Sequence, residues 1–430
     1  MSFEVFLKGF SAAIQHYRLT CSKPTTEDAH MAGRQYTKTS RVSWGQRLMQ
    51  SIAGVVGGIV LVLAAVGGLW WNEGRAVNTA KGLKEGAAAV TTVSPDRVDP
   101  SNTGQLVHIS GQAVSQDTLR DPLLGVAETA IALIREVEMY QWQEERRTET
   151  RTAVGGSEER VTTYNYKPDW SSRHIDSSRF YQAATHRNPA VFPIESETRR
   201  ADNVALGAFR LSPALIAQIR ESRPYALGAE HVASLPERFR ERANSDQPGW
   251  LYIGDPMLPE IGDMRIRLQI VRDQPVSVLA RQIDNTFEAH ASSHGTTIQR
   301  LMPGILSPEA MFDQMVRENT MMTWGLRFGG LLMMMIGFGL ILKPIKVTFD
   351  VLPMLGSIAG AGIGVISLVL GLVLSLSTIA LAWLFYRPLL SIVLIGACVG
   401  IVYLARQKLG KREPDPAENA VPAESPASNG

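Results

Sequence analysis

Apolar positions in this chain gather in blocks, and the blocks dictate the rest of the reading. Residues 51–71 run from Ser51 to Trp71 without a charge, and a helix of about 20 apolar residues is what a bilayer core of about 30 Å requires. A second block, 324–342, carries Arg327 close enough to one end for its guanidinium to snorkel toward headgroups. The third, 355–386, is rich in Gly, Ser and Leu and longer than a bilayer needs, so it tilts or begins in the interface. Arg387-Pro388 ends it, and 389–405 makes a short fourth block. Helices buried in a soluble core rarely run this long uncharged. The pattern predicts a multi-pass α-helical membrane protein with four spans, at 51–71, 324–342, 355–386 and 389–405.

Between the first two spans the period changes. Residues 72–323 read as a large α+β, mainly antiparallel-β extramembrane domain. Residues 105–114 pattern as a strand, and the runs 131–152 and 159–166 flank Gly155-Gly156, which predicts a long hairpin. The Glu- and Arg-rich first arm has some helical character as well. Further strands are expected at 250–253, 264–271 and 276–283. Ser212-Pro213 and Ser307-Pro308 each set an N-cap before a proline at the first helical position, and the second helix should run on into span two. Faint echoes between 211–220 and 306–317, and between 104–109 and 262–268, leave two related subunits open beside coincidence.

The flanks differ in kind. Within the N-terminal segment 1–50, Phe3, Phe6, Leu7, Phe10, Ile14 and Tyr17 recur at helical spacing opposite Lys8, Gln15 and Arg18, as an interfacial amphipathic helix over 3–18 would. A start at Met31 would instead remove residues 1–30 from the native protein, and both readings stand. The tail, 406–430, is Pro-, Ala-, Glu- and Ser-rich from Glu413 and is expected to be disordered.

Charge gives the layout a direction. Arg34, Lys38, Arg41 and Arg47 precede span one, Lys343 and Lys346 lie between spans two and three, and Arg406, Lys408, Lys411 and Arg412 follow span four. With four spans these fall on one face, which should be cytoplasmic; Arg75, Lys81 and Lys84 oppose the bias from the other side. Trp70, Trp71, Trp324, Trp383 and Tyr386 all fall at the non-cytoplasmic interface, as an aromatic belt would. Residues 72–323 are then periplasmic or luminal. The net charge of +2, from 43 basic and 41 acidic residues, provides no field to hold nucleic acid. Cys21 and Cys398 lie outside the central domain, which excludes a disulfide framework or cysteine metal site there.

Candidate chemistry is sparse. His290 and His294 have the i, i+4 spacing of a metal-binding helix, but no Glu follows His290 and the segment reads as a loop. No phosphate-binding loop, nucleophile elbow or dinucleotide fingerprint stands out, so no catalytic, cofactor or metal residues are assigned. The Glu-Arg clusters at 144–147 and 158–160 fit a solvated hairpin surface, and Arg238, Arg240 and Arg242 an exposed polar segment. An enzyme would need groups such as His186, Asp121 or Glu138 to converge in a pocket. The middles of the spans carry no ionisable residue, which speaks against transport; a channel would need a path along Ser367, Ser375, Ser377 or Thr378. What the spans do carry is Gly-x-x-x-Gly spacing, at Gly54 with Gly58, Gly356 with Gly360 and Gly364, and Gly396 with Gly400. Such spacing lets helix backbones approach within or between chains.

Several segments add up in order. Asn72-Glu73-Gly74-Arg75-Ala76 follows span one, then Asp121-Pro122, Val137-Glu138-Met139-Tyr140-Gln141-Trp142, His186-Arg187-Asn188-Pro189 and Pro259-Glu260-Ile261-Gly262-Asp263. Thr323-Trp324-Gly325-Leu326-Arg327 and Trp383-Leu384-Phe385-Tyr386-Arg387-Pro388 complete the series. Over about 34–405 the chain resembles the LUMA (transmembrane protein 43) family. The resemblance implies four spans with a large luminal loop and no catalytic residues. It also implies a protein that self-associates and organises membrane complexes. Departures from the animal pattern at 1–30, 284–300 and the tail suggest a bacterial inner-membrane homologue, for which lamina partners would not carry over. The expected partners are the lipid bilayer, further copies of the chain and other membrane proteins; the expected role is a membrane scaffold, with a periplasmic or luminal enzyme acting on lipid or envelope polymer, or an oligomeric channel, as alternatives.

Overall fold

The helices follow the apolar blocks but outrun them. A computed structural model describes residues 35–388 except 248, together with Gly400. Helix α1 (Trp44–Ala89) has 46 residues, about 69 Å of helix, over twice the depth of a bilayer core. Ser43 caps it: its hydroxyl accepts from the Gln46 N–H, and the Gln46 side chain accepts from the Ser43 N–H. Helix α2 (Pro308–Phe349) starts as Ser307-Pro308 predicts, with the Ser307 hydroxyl accepting from the Ala310 N–H, and continues through the second apolar block. Helix α3 is Pro353–Tyr386. Among the described residues these three helices are long and apolar enough to cross a membrane. The fourth block, Gly400 apart, lies outside the described residues, as do 3–18, the start at Met31 and the tail.

Close backbone contact joins α1 to α2. A Cβ on Gly58 would lie 2.6 Å from the Gly337 carbonyl oxygen, and one on Gly337 would lie 2.6 Å from Val62 Cγ2. Leu69 crosses Gly330 in the same way farther along. The other packing candidates divide. Gly356 abuts Asp350, Gly360 faces the Lys346 side chain, and among the described residues Gly54 has only Leu340 within 4 Å, while Gly364 and Gly400 have nothing within that distance. Gly396 lies outside the described residues.

Two sheets make the central domain, one of eight strands and one of seven, all antiparallel but for Thr91–Thr92, which pairs in parallel with Val107 and His108. The first runs β1 (Gln35–Val42), β4 (Glu158–Ser171), β3 (Ala132–Thr152), β5 (Met264–Val271), then Leu251–Ile253 and Ala243–Asn244. The second centres on β2 (Leu106–Ser115) beside β6 (Gln274–Ile283). Strict alternation explains the burial. Val137 and Met139 of β3 and Ile266 and Leu268 of β5 point into one core, while Glu136 and Glu138 sit directly opposite Arg267 and Arg265 on the other face and pair with them. A second core gathers Val107, Ile109, Phe209, Val278 and Phe287. A third joins the helices to the domain, with Leu83 of α1 and Met311 and Phe312 of α2 packed on Leu106, Leu279 and Ile298.

The predicted hairpin forms as two strands, and both glycines of its turn take positive φ, 87° and 75°. It runs on beyond Met139, where the pairing of β3 with β5 stops. Its outer ten pairs, from Gln143–Lys167 to Thr152–Glu158, extend about 33 Å. The tip comes to rest at the start of α1 and just past the end of α2: the Gly155 N–H donates to the Val351 carbonyl at 3.1 Å, Gly156 lies against the Trp44 ring, and Trp44 Nε1 in turn donates to the Val347 carbonyl of α2 at 2.9 Å. Strand β1, just before α1, pairs with β4 from Gln35–Asn165 to Val42–Glu158. Residues 35–42 and 158–165 thus share one ribbon, although the sequence reading sets segment 1–50 and domain 72–323 on opposite faces of a membrane. The ribbon reaches one end of the apolar helices and the body of the domain the other.

Substituting Gly337 with Val should overpack the α1–α2 crossing, at a cost of about 1–3 kcal/mol or more, whereas Gly57→Leu, with open space at Gly57, should be neutral. Thermal unfolding of the two variants in detergent measures the contrast.

Candidate functional site at the junction of helices and domain

Glu73 is the first acid in the chain after Asp28 and follows directly on the uncharged run 51–71. Its side chain is fully buried. From α2, Arg327 grips it with both ends of the guanidinium, Nε to Oε1 at 2.6 Å and Nη2 to Oε2 at 2.8 Å; from α3, Trp383 Nε1 donates to Oε2 at 2.8 Å. One carboxylate therefore binds three helices. The Arg327 guanidinium also lies over the rings of Trp324 and Trp383, at 4.8 and 5.7 Å, which adds cation–π attraction in a site shielded from water. The position of Arg327 near a span end suggests snorkelling, but its guanidinium is instead taken up by the carboxylate that α1 presents to it.

One turn of α1 supplies the rest of the junction. Asn72 Nδ2 donates to the Thr323 carbonyl at 3.1 Å. Arg75 donates to Asn319 Oδ1 at 2.9 Å, Asn72 Oδ1 at 3.1 Å and Thr323 Oγ1 at 3.0 Å, and Asn319 Nδ2 returns a bond to the Ala76 carbonyl. Gly74 is required because the Tyr386 ring lies where a Cβ would stand. Trp70 meets Phe385 and Tyr386 edge-on at 5.1 and 6.1 Å, and the Arg387 guanidinium, just before Pro388, lies over Trp383 at 5.8 Å. The structure so brings Trp70, Trp324, Trp383 and Tyr386 together around Asn72–Arg75; Trp71, also on this turn, is 58% exposed.

Beside this junction lies a cavity of about 530 Å³ between α1, the turn at 294–297 and the end of α3. His294 in that turn contacts Glu85 of α1 at 3.1 Å, and the Ser293 hydroxyl and N–H both donate to the same carboxylate. Those bonds, the Ser293 hydroxyl's first, push the Glu85 pKa down to about 2. His290 lies in the short strand His290–Ala291, and no group of three or more metal-ligating side chains occurs among the described residues.

The opposite end of the bundle holds a second buried ion cluster. Arg47 of α1 binds Asp350 at 2.5 Å, Glu158 at 2.9 Å and the Gly156 carbonyl at 2.6 Å. Glu158 is correspondingly not part of a solvated hairpin surface: the tip is docked, and this acid is its anchor. Asp350 escaped the sequence reading, although it is the lone acid between Glu318 and Glu413.

Motif residues in the domain hold the β framework. Tyr140 exchanges backbone bonds with Gly262 and Asp263, whose carboxylate accepts from the Glu260 N–H at 2.8 Å and from Arg242. Arg242 is thereby an ion-pair partner, and Arg238 lies on the Phe239 ring. Asn188 caps Trp142 from both sides, its Oδ1 accepting from the Trp142 N–H and its Nδ2 donating to the Trp142 carbonyl. The candidate catalytic groups do not converge. His186 is buried, stacked on Tyr166 at 4.0 Å and edge-on to Trp142. Asp121 is locked to Arg135 at 2.6 Å, whereas Glu138 faces outward to Arg265 on the other side of β3. Ser375 and Thr378 are buried and donate to carbonyls of their own helix, Ser367 is buried too, and Ser377 is exposed. Ser377 thus lies apart from the buried three.

Changing Glu73 to Gln should strand the Arg327 charge in a site where Arg327 is nearly buried, costing about 3–5 kcal/mol. Glu73→Gln combined with Arg327→Met should recover much of that loss. Unfolding in detergent measures both; equal stability of the single variant and the parent would refute the pairing.

These motif-bearing elements have counterparts in known proteins. A profile described as Transmembrane protein 43 matches residues 139–388. Human Transmembrane protein 43 is 31% identical over 387 residues, 86% of this chain and 94% of the human protein. The mouse protein is 33% identical over 373 residues, covering 83% and 90%, and the Drosophila melanogaster homolog 29% identical over 359 residues, covering 80% and 90%. No solved structure matches. The chain belongs to the transmembrane protein 43 family.

Proposed function

We propose that this protein is a non-enzymatic membrane scaffold that self-associates and organises membrane protein complexes or envelope structure. The observation that carries this reading is where the polar groups go. Glu73, Arg327, Arg47, Asp350 and Glu158 tie the helices to one another and to the ribbon tip, Asp121 and Arg135 brace the sheet, and none is left aimed at a common reacting centre. The outward faces of the helices stay apolar, with Val60, Leu63, Ile336, Ile358, Val373 and Phe385 exposed. On α3, Gly364 meets no other described residue within 4 Å of where its Cβ would stand, which leaves room for the approach of a second helix. Partners on this reading are the bilayer, further copies of the chain and other membrane proteins. Lys343 and Lys346, beyond the apolar part of α2, support a cytoplasmic end there, with the body of the domain periplasmic in a bacterial inner membrane, or luminal in endoplasmic reticulum and inner nuclear membrane. Gly364→Leu should abolish cross-linking between copies in native membranes while unfolding at the parent temperature; undiminished cross-linking would count against self-association through α3.

The ribbon favours an oligomeric channel as a second reading. Glu145, Arg146, Arg147, Glu149 and Arg151 are exposed on its outer part, and charged side chains at bilayer depth face protein or water-filled space, not acyl chains. An assembly enclosing water would meet that demand. In intact membranes a Thr148→Cys variant should then react with a membrane-impermeant maleimide; failure to react would remove this reading.

A further inference from the structure

The cavity beside the helix junction has the chemistry of a lipid headgroup site. Its walls include Trp71, Arg75, Asn78, His294, Thr296 and Tyr386. It opens one turn beyond the uncharged run 51–71, at the level where aromatic side chains meet headgroups. Arg75 is the decisive residue. The side chain donates to neutral oxygens of Asn72, Asn319 and Thr323, and no carboxylate among the described residues lies within 4.0 Å of it, in contrast to Arg47 and Arg327. Its Nε is buried without a hydrogen-bond partner. A part-buried guanidinium held in place by neutral groups has no counter-charge beside it, and a desolvated cation of this kind is stabilised by an anion with oxygen acceptors. Asn78, Thr79, Thr296 and Thr297 add amide and hydroxyl groups to the same walls. The apolar side is present too: Trp71 is 58% exposed and Phe385 69%, placed to lie along acyl chains while the polar groups hold the head.

We infer that this cavity binds the phosphate of an anionic phospholipid, with Arg75 as its counter-charge. Arginine suits phosphate because its planar fork matches the oxygens. The inference extends beyond scaffolding, since lipid binding here would hold whether or not copies of the chain associate.

Native mass spectrometry of the full chain, released from detergent containing phosphatidylglycerol and phosphatidylcholine, tests it. The parent should retain phosphatidylglycerol in preference. Arg75→Gln should weaken that retention about tenfold or more, the loss expected for a charge-assisted hydrogen bond, and Arg75→Lys should keep part of it. Asn78→Trp serves as a second variant, because it fills the cavity while leaving the Arg75 bonds intact; it should unfold at the parent temperature and lose the preference. Equal retention of the two lipids by the parent, or a preference undiminished in both Arg75→Gln and Asn78→Trp, would overturn the site. Displacement of phosphatidylglycerol by inorganic phosphate at comparable concentration would overturn the lipid as its ligand and leave a free-phosphate site instead.

Discussion

Everything above the apolar helices hangs on one carboxylate. Glu73 sits at the boundary where α1 leaves the uncharged run and enters the domain, and the ion pair with Arg327 fixes the register of α1 against α2 there. In a site with little water a bare carboxylate or guanidinium is costly, and breaking such a pair costs more than never having made it. The Trp383 N–H brings α3 to the same point. The pair therefore acts less as glue than as an index: helices that could slide on apolar surfaces are held where the charges meet. With three helices fixed at this level, Leu83, Met311 and Phe312 arrive together on the second sheet, and the domain gains a rigid footing.

A second ion cluster does the same at the far end. Arg47 collects Asp350, Glu158 and a glycine carbonyl, so helix α1, the end of α2 and the ribbon tip converge on one guanidinium. Between the two clusters the helices need only apolar contact, and the close crossing of Gly58 with Gly337 supplies it. The arrangement explains the placement of the carboxylates at the margins of the apolar blocks: Glu73 and Asp350 each stand where an arginine of a neighbouring element meets them.

How much of this was legible in the sequence depends on the range of the interaction. Helices α1 to α3, the hairpin and its Gly-Gly turn, the strands at 264–271 and 276–283, and the Ser307 cap all follow from local pattern, because each is decided by neighbours within a few residues. The strand β1 does not: Gln35–Val42 is polar and unremarkable alone, and pairs only because β4 offers an edge. Arg327 was read by its distance to the headgroups, for want of any way to know that Glu73 stood opposite. Asp350 and Glu158 lie 192 residues apart in number, and nothing local links either to Arg47. Isolation was the available signal. Glu73 and Asp350 each stand alone in a long stretch without another acid, and a lone carboxylate at the edge of an apolar block asks for a partner.

The ribbon has a mechanical consequence. It is fastened at its tip to Arg47 and Val351 and grows at its base from the domain on which Leu83 rests, so it runs in parallel with the helices like a tie rod beside a column. A helix bundle on its own adapts to a thinner or thicker bilayer by tilting. This one is braced at both ends by a strip of sheet whose length is set by its hydrogen bonds. Tilt of the helices against the domain would have to stretch or buckle that strip, so the ribbon stiffens the bundle from outside its own apolar contacts.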